Sequence, residues 1–126
     1  MSIKIWNVRL RRNTLLKEEN KYVAEVLKES TLYNEDIARL MQEEGFGVNA
    51  EILVAAFRCH DRIIRQLLQQ GHSVQTETCR FAPRVRGVWN GPLTRFDPKV
   101  HKVALDIVPT AAMREALKEV EVQPIG

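Results

Sequence analysis

Six basic side chains fall between positions 80 and 102: Arg80, Arg84, Arg86, Arg95, Lys99 and Lys102. One acid, Asp97, interrupts them, so residues 80–103 carry a local charge of +5 in a chain whose total is +3. Guanidinium and ammonium groups at this density suit charge-assisted hydrogen bonds to phosphate oxygens, with release of the counterions that phosphates condense. Arg84 and Arg86 stand two residues apart, the spacing that places strand side chains on the same face. The competing reading is a solvated sheet face with no ligand. Within the same stretch Asn90-Gly91 signals a hairpin, although Pro92 has no N–H to close the turn. Trp89 and Phe96 flank this turn, where they either stack on a ligand or pack the strand ends against the core.

Other chemistry is sparse. His60, His72 and His101 have no serine or cysteine partner at a recognisable spacing, and Cys59 and His60 point about 100° apart on a helix. Gly45-Phe46-Gly47 is not followed by the Lys-Ser/Thr of a phosphate-binding loop. Cys59, His60, His72, Cys79 and His101 supply ligand atoms for zinc, but not at the spacings that converge them. The expectation is therefore no enzyme, no cofactor and no metal site. The two thiols are expected to be buried and reduced.

Charge is divided along the chain: +4 in residues 1–12, −4 in 13–79, +5 in 80–103 and −2 in 104–126. Two basic segments flank an acidic body, which fits a polyanion met by one face. Whether Arg9, Arg11 and Arg12 extend that face, and whether Arg58, Arg62 and Arg65 form a second patch or only a wet helix face, stays open. At 126 residues, with 44% apolar and 28% charged, the chain is expected to form a single domain. No apolar run approaches the ~20 residues of a membrane helix, and the first twelve residues lack the apolar stretch of a secretory signal. A cytoplasmic protein without a membrane partner is expected.

These side chains need a scaffold, and the periodicity outlines one. Residues 3–10 and 21–27 predict two strands separated by a polar loop. Asn34 caps a predicted helix over 34–44, with Glu35 and Asp36 in its first turn. Asn49 caps a second over 49–70, where Val48 and Leu53 hold staple positions, Leu53, Phe57, Ile64, Leu67 and Leu68 form the apolar stripe, and Gly71 stops the run. The period then becomes two, predicting a strand over 73–81 and a return strand over 99–108. Pro83 and Pro98 argue against uninterrupted central strands around them. A last helix over 110–119 should cover the base, and the tail 121–126 should fray.

In this order the chain resembles the bacterial HU/IHF family, and more closely the HU-like amino-terminal domain of a group of two-domain bacterial proteins. The resemblance spans about Val8 to Val122. It is carried by Arg12-Asn13-Thr14-Leu15, Asn34-Glu35-Asp36-Ile37, the helix from Asn49, Gln70-Gly71-His72-Ser73-Val74, Arg86-Gly87-Val88-Trp89, Phe96-Asp97-Pro98, His101-Lys102-Val103 and Val108-Pro109. It implies an α+β fold: a two-helix base, a β-sheet with a basic ribbon, and a C-terminal helix. Residues 34–120 form the HU-like core, and residues 1–33 are an added strand extension, expected to join the sheet edge or to mediate pairing.

The resemblance also implies non-sequence-specific, architectural binding of duplex DNA at the nucleoid, by a homodimer paired through the helical body, where exposed Phe57, Ile63, Leu67 or Phe81 would mark the surface that needs a partner. In that family an arm-tip proline wedges between base steps, a role that falls to Pro92 here. The family's Gly-Phe-Gly-x-Phe arm base is replaced by Cys79-Arg80-Phe81-Ala82. Its Arg-Asn-Pro-x-Thr-Gly tip is absent, with Asn90-Gly91-Pro92 the nearest substitute. The alternative is an HU-fold interaction or self-association module in which DNA binding is weak or lost.

Overall fold

The computed structural model describes residues 4–13, 21–27 and 30–125. Its elements run β1 (Lys4–Arg12), β2 (Tyr22–Val26), α1 (Asn34–Glu43), α2 (Ala50–Gln69), β3 (Val74–Gln75), β4 (Cys79–Arg86), β5 (Lys102–Pro109), α3 (Ala111–Leu117) and β6 (Val120–Pro124). Ile3 and most of the expected loop, residues 14–20, lie outside the described residues.

The helical base follows from its end signals. Asn49 accepts the Glu51 N–H on its Oδ1 at 2.7 Å and so satisfies one of the free donors at the start of α2. The cap of α1 sits one residue earlier than the sequence suggests. Tyr33 takes the extended cap conformation, and its N–H donates to Asp36 Oδ2 at 2.9 Å. Asn34 is thus the first helical residue, and the reaching-back acid Asp36 does the capping. At the far end of α2, Gly71 adopts φ 91° and the His72 N–H donates to Leu67 O at 3.1 Å, a left-handed stop. The two helices pack through Ala38, Leu53 and Val54, with Met41, Val48, Ala50 and Phe57 against them.

The strand expected over 73–81 is two strands. Thr76 accepts the Cys79 N–H on its hydroxyl oxygen at 3.2 Å and donates its own N–H to Cys79 O at 2.9 Å, which reverses the chain. β3 therefore spans two residues and pairs antiparallel with β4, Val74 opposite Phe81 and Gln75 opposite Arg80. β4 pairs with β5 along its whole length, from Cys79 opposite Pro109 to Arg86 opposite Lys102. Pro83 is tolerated inside β4 because the ladder with β3 ends at Val74 opposite Phe81 and does not reach Pro83 on that flank. The return strand starts at Lys102 rather than Lys99. Asp97 O receives the N–H groups of Val100 and His101 at 3.1 and 2.7 Å, which keeps the chain in a turn until there.

Thr110 joins this sheet to α3. Its hydroxyl donates to Glu77 O and accepts the Met113 N–H, and the residue is 7% exposed. Thr110→Val keeps the shape but removes the cap and leaves a carbonyl short of a partner. It should lower stability by about 1–2 kcal/mol, read as a shifted denaturation midpoint at fixed chain concentration. With seven residues, α3 is too short to roof the base and rests chiefly on β5.

The tail does not fray. β6 pairs parallel with β1, Lys4 opposite Val120 through Val8 opposite Pro124, and the Ile125 N–H donates to Val8 O at 2.9 Å. The added strands thus do not extend the β3–β4–β5 sheet but make a second one of order β2-β1-β6. Register gathers Trp6, Val8, Leu10, Tyr22, Val26 and Val122 on one face, and Asn7, Arg9, Arg11, Glu25 and Gln123 on the other. Arg11 pairs with Glu25 at 3.8 Å. Val8 is buried, while Trp6, Leu10, Tyr22, Val26 and Val122 are exposed. The whole chain presents 11056 Å² to solvent. A compact monomer of this mass presents roughly 6,900 Å².

Candidate nucleic-acid interface

The β4–β5 register decides which basic residues act together. Arg80, Arg84 and Arg86 share one face, and Lys102, directly opposite Arg86, joins them. Phe81, Val85, Val103, Leu105 and Ile107 occupy the other face. Phe81, Val103 and Leu105 line a groove of about 490 Å³ with Ile64 and Leu68 of α2. The helix therefore backs the apolar face and leaves the basic face turned outward.

Within that face the cations are not equivalent. Asp106, on the same face and just beyond the basic segment in sequence, accepts a bond from Arg84 Nη1 at 3.1 Å with both side chains about half exposed. Arg80 Nη1 reaches Gln75 Oε1 at 3.5 Å. Among the described residues no ion pair engages Arg80, Arg86, Arg95, Lys99 or Lys102. Arg86 and Lys102 are like charges opposed across a ladder, an arrangement that costs stability unless an anion lies between them.

Arg95, Lys99 and Pro92 are not on the sheet. They belong to the connection 87–101, which replaces the short hairpin suggested by Asn90-Gly91. Pro92 sits in a turn closed by the Thr94 N–H and Gly91 O at 3.2 Å. The side chain thrown outward is its neighbour Leu93, 94% exposed. Nothing in the sequence marked Leu93, because exposure in a non-repetitive segment has no periodicity to reveal it.

The connection is organised around His101, which is 2% exposed. Trp89 stacks on its ring with centroids 3.9 Å apart and planes 9° apart, and Phe96 tilts against it at 5.9 Å. The two aromatics therefore pack, as one reading of the sequence held, but on a histidine inside the connection instead of on the main core. The Asp97 N–H donates to His101 Nδ1 at 2.9 Å, and Nε2 lies 3.0 Å from Val88 O. Gly87 completes the enclosure at φ 117°, where a Cβ would stand 2.4 Å from Val100 O and 2.8 Å from the imidazole Cδ2. Only glycine fits there.

Elsewhere the candidate residues disperse. Arg58, Arg62 and Arg65 lie on the exposed side of α2, and Arg58 is held by Glu35 at 2.8 Å. Arg9, Arg11 and Arg12 belong to β1 in the other sheet. Cys59 is exposed, contrary to the burial expected of it, because its helix position faces away from the apolar stripe; Cys79 is half-buried, and neither is in a disulfide. Among the described residues no group of three His, Cys, Asp or Glu side chains could hold a metal ion. No helix among them is long and apolar enough to cross a membrane.

Comparison with solved structures finds the same fold in a Bacteroides vulgatus chain described as a candidate bacterial DNA-binding protein. The TM-score is 0.79 at 21% identity, covering 98% of this chain and 49% of that one. The chain thus spans about half the length of the structure it matches. A comparison with curated proteins returns no match. The model of the HU-type DNA-binding domain family, described as a DNA-binding domain, matches residues 5–126. Nearly the whole chain is covered by that match, and the chain belongs to the HU-type DNA-binding domain family.

Proposed function

We propose that this domain binds duplex DNA without sequence preference, as an architectural protein, through the outward face of β4 and β5 and the connection 87–101. The observation that carries the reading is the grouping of Arg80, Arg86 and Lys102 on one sheet face with no acid paired to them among the described residues. Arg95 and Lys99 extend the positive surface along the connection. Such a face grips phosphates and reads shape more than base identity. It suits a protein working on the bacterial nucleoid in the cytoplasm. Titration of a labelled mixed-sequence duplex at increasing salt tests it. With ~3–4 phosphates contacted per subunit, log K should fall against log salt with a slope near −3 per subunit. Absence of binding at ~50 mM salt would replace this reading with the self-association module.

The working unit is a homodimer. The exposed surface of 11056 Å² exceeds that of a compact chain by roughly 4,200 Å², more than the roughly 1,000–2,500 Å² that one subunit buries in an obligate interface, so the chain has ample surface for a partner to cover. The apolar face of β4–β5, which α2 covers only in part, and the groove beside it are continuous candidates for burial. Of the four side chains that would mark an unpartnered base, only Ile63 is largely exposed; Phe57, Leu67 and Phe81 are half-buried. Ile37, Leu40 and Ile52 of the helices are exposed as well, so the helical body and the sheet both offer apolar surface, with Val103 the most exposed of these side chains.

Two variants refine the reading. Asp106→Asn frees Arg84 for phosphate, so affinity should rise by about threefold to tenfold and the salt slope should steepen by up to ~1. Leu93 is the better wedge than Pro92, being a bare apolar side chain beside basic neighbours. In a duplex-bending assay by energy transfer, Leu93→Ser should reduce bending and Pro92→Ala should leave it close to that of the parent chain.

A further inference from the structure

His101 is buried, uses both ring nitrogens, and is flanked by Gly87, Val88, Trp89, Phe96 and Asp97 of the connection. The Asp97 backbone N–H can only donate, so Nδ1 must accept and carries no proton. The ring proton is then on Nε2 and donates to Val88 O. Both hydrogen bonds are satisfied by one species, the neutral Nε2–H tautomer. A proton added at Nδ1 would face the Asp97 N–H, donor against donor, with Trp89 stacked on the ring and Gly87 against its edge.

The charged groups on the elements packed around the ring are Arg86 at the end of β4, Lys102 at the start of β5, and Arg95, Asp97 and Lys99 in the connection. The Asp97 carboxylate is turned to the Lys99 N–H at 2.9 Å. Among the described residues no carboxylate hydrogen-bonds the imidazole.

We propose that His101 is a positioning residue of the nucleic-acid surface. Its neutral imidazole holds the connection in the conformation that presents Leu93, Arg95 and Lys99, and protonation of the ring releases that conformation and loosens the grip on the duplex. The proposal deepens the DNA-binding reading and rests on it. It also makes a prediction against simple electrostatics. Added positive charge strengthens phosphate binding, whereas release of the connection weakens it.

The test has a free-protein arm and a duplex arm. In a Trp6→Phe background, Trp89 emission and the ring 15N shifts of His101 are followed from about pH 8 to about pH 5, the range in which histidine changes charge. Binding to a fixed mixed-sequence duplex is measured over the same range at constant salt. The expected results are the Nε2–H tautomer at the upper end, a change in Trp89 emission on acidification, and a loss of affinity of about threefold to tenfold as preorganisation is lost. His101→Phe keeps a ring for Trp89 but neither hydrogen bond. It should bind weakly throughout and show no such loss.

An Nδ1–H tautomer, Trp89 emission unmoved by ring protonation, or affinity that rises on acidification would each overturn the proposal. If His101→Phe does not fold, the parent chain's tautomer and emission still decide. If no duplex binds at neutral pH, it is the DNA-binding reading that fails, and the free-protein arm shows separately whether the lock exists.

Discussion

Val103→Glu should turn a species of about 29 kDa, twice the 14.5 kDa chain, into one that is monomeric or unfolded at micromolar concentration. In the single chain Val103 is 78% exposed, so a glutamate there meets water and costs that chain almost nothing. Any large effect must come from a partner that covers it. The residue lies on the apolar face of β4–β5, beside Val85 and two positions from Leu105. Burying a carboxylate there without a counter-ion costs several kcal/mol, which raises a dimer Kd by at least ~100-fold. Light scattering gives the mass, and the concentration dependence of the thermal midpoint gives the linkage. A Val103→Glu chain with the parent's mass and midpoint would show that no partner covers this face.

The second large effect concerns the opposite face of the same strands. A chain with Arg80, Arg86 and Lys102 all replaced by alanine should lose ~2–3 of the salt slope per subunit, because each phosphate contact contributes about 0.9. At roughly 1 kcal/mol for each surface contact, affinity should fall by about 100-fold. The loss should be the same for two duplexes of unrelated sequence, since phosphates carry no base identity. The three positions are exposed and pair with no acid among the described residues, so the fold should survive. A preserved slope would remove this face from consideration and direct attention to the row Arg58, Arg62 and Arg65 on α2.

The sequence made some of this legible and hid the rest for identifiable reasons. Asn49 and Gly71 bounded α2 because caps and stops act within a few residues of themselves. The sharing of a face by Arg84 and Arg86 followed from strand alternation alone. Lys102 could be placed beside Arg86 only once the register was known, and Asp106 escaped notice because it lies outside the basic run yet crosses the ladder to Arg84. Thr76 looked like one more residue of an alternating strand, but its hydroxyl and N–H together turn the chain. The tail looked polar and proline-containing, hence frayed. Its partner is β1, more than a hundred residues away, and no local pattern reports such a pairing. His101 drew attention first as a nucleophile's partner or a metal ligand. Its neighbours on the fold, Gly87, Val88, Trp89, Phe96 and Asp97, make it an organiser instead.

The parallel pairing of β1 with β6 has a mechanical consequence. The chain enters β1 at Lys4 and leaves β6 at Pro124, which lie at opposite ends of the paired segment. Tension applied through those two points runs along the strands and loads all the rungs between Lys4–Val120 and Val8–Pro124 together, in shear. An antiparallel closure would have opened one rung at a time, like a zip. A DNA-bound subunit pulled along its own chain is thus clasped at the seam that must yield first, and the β4–β5 grip lies inside that clasp.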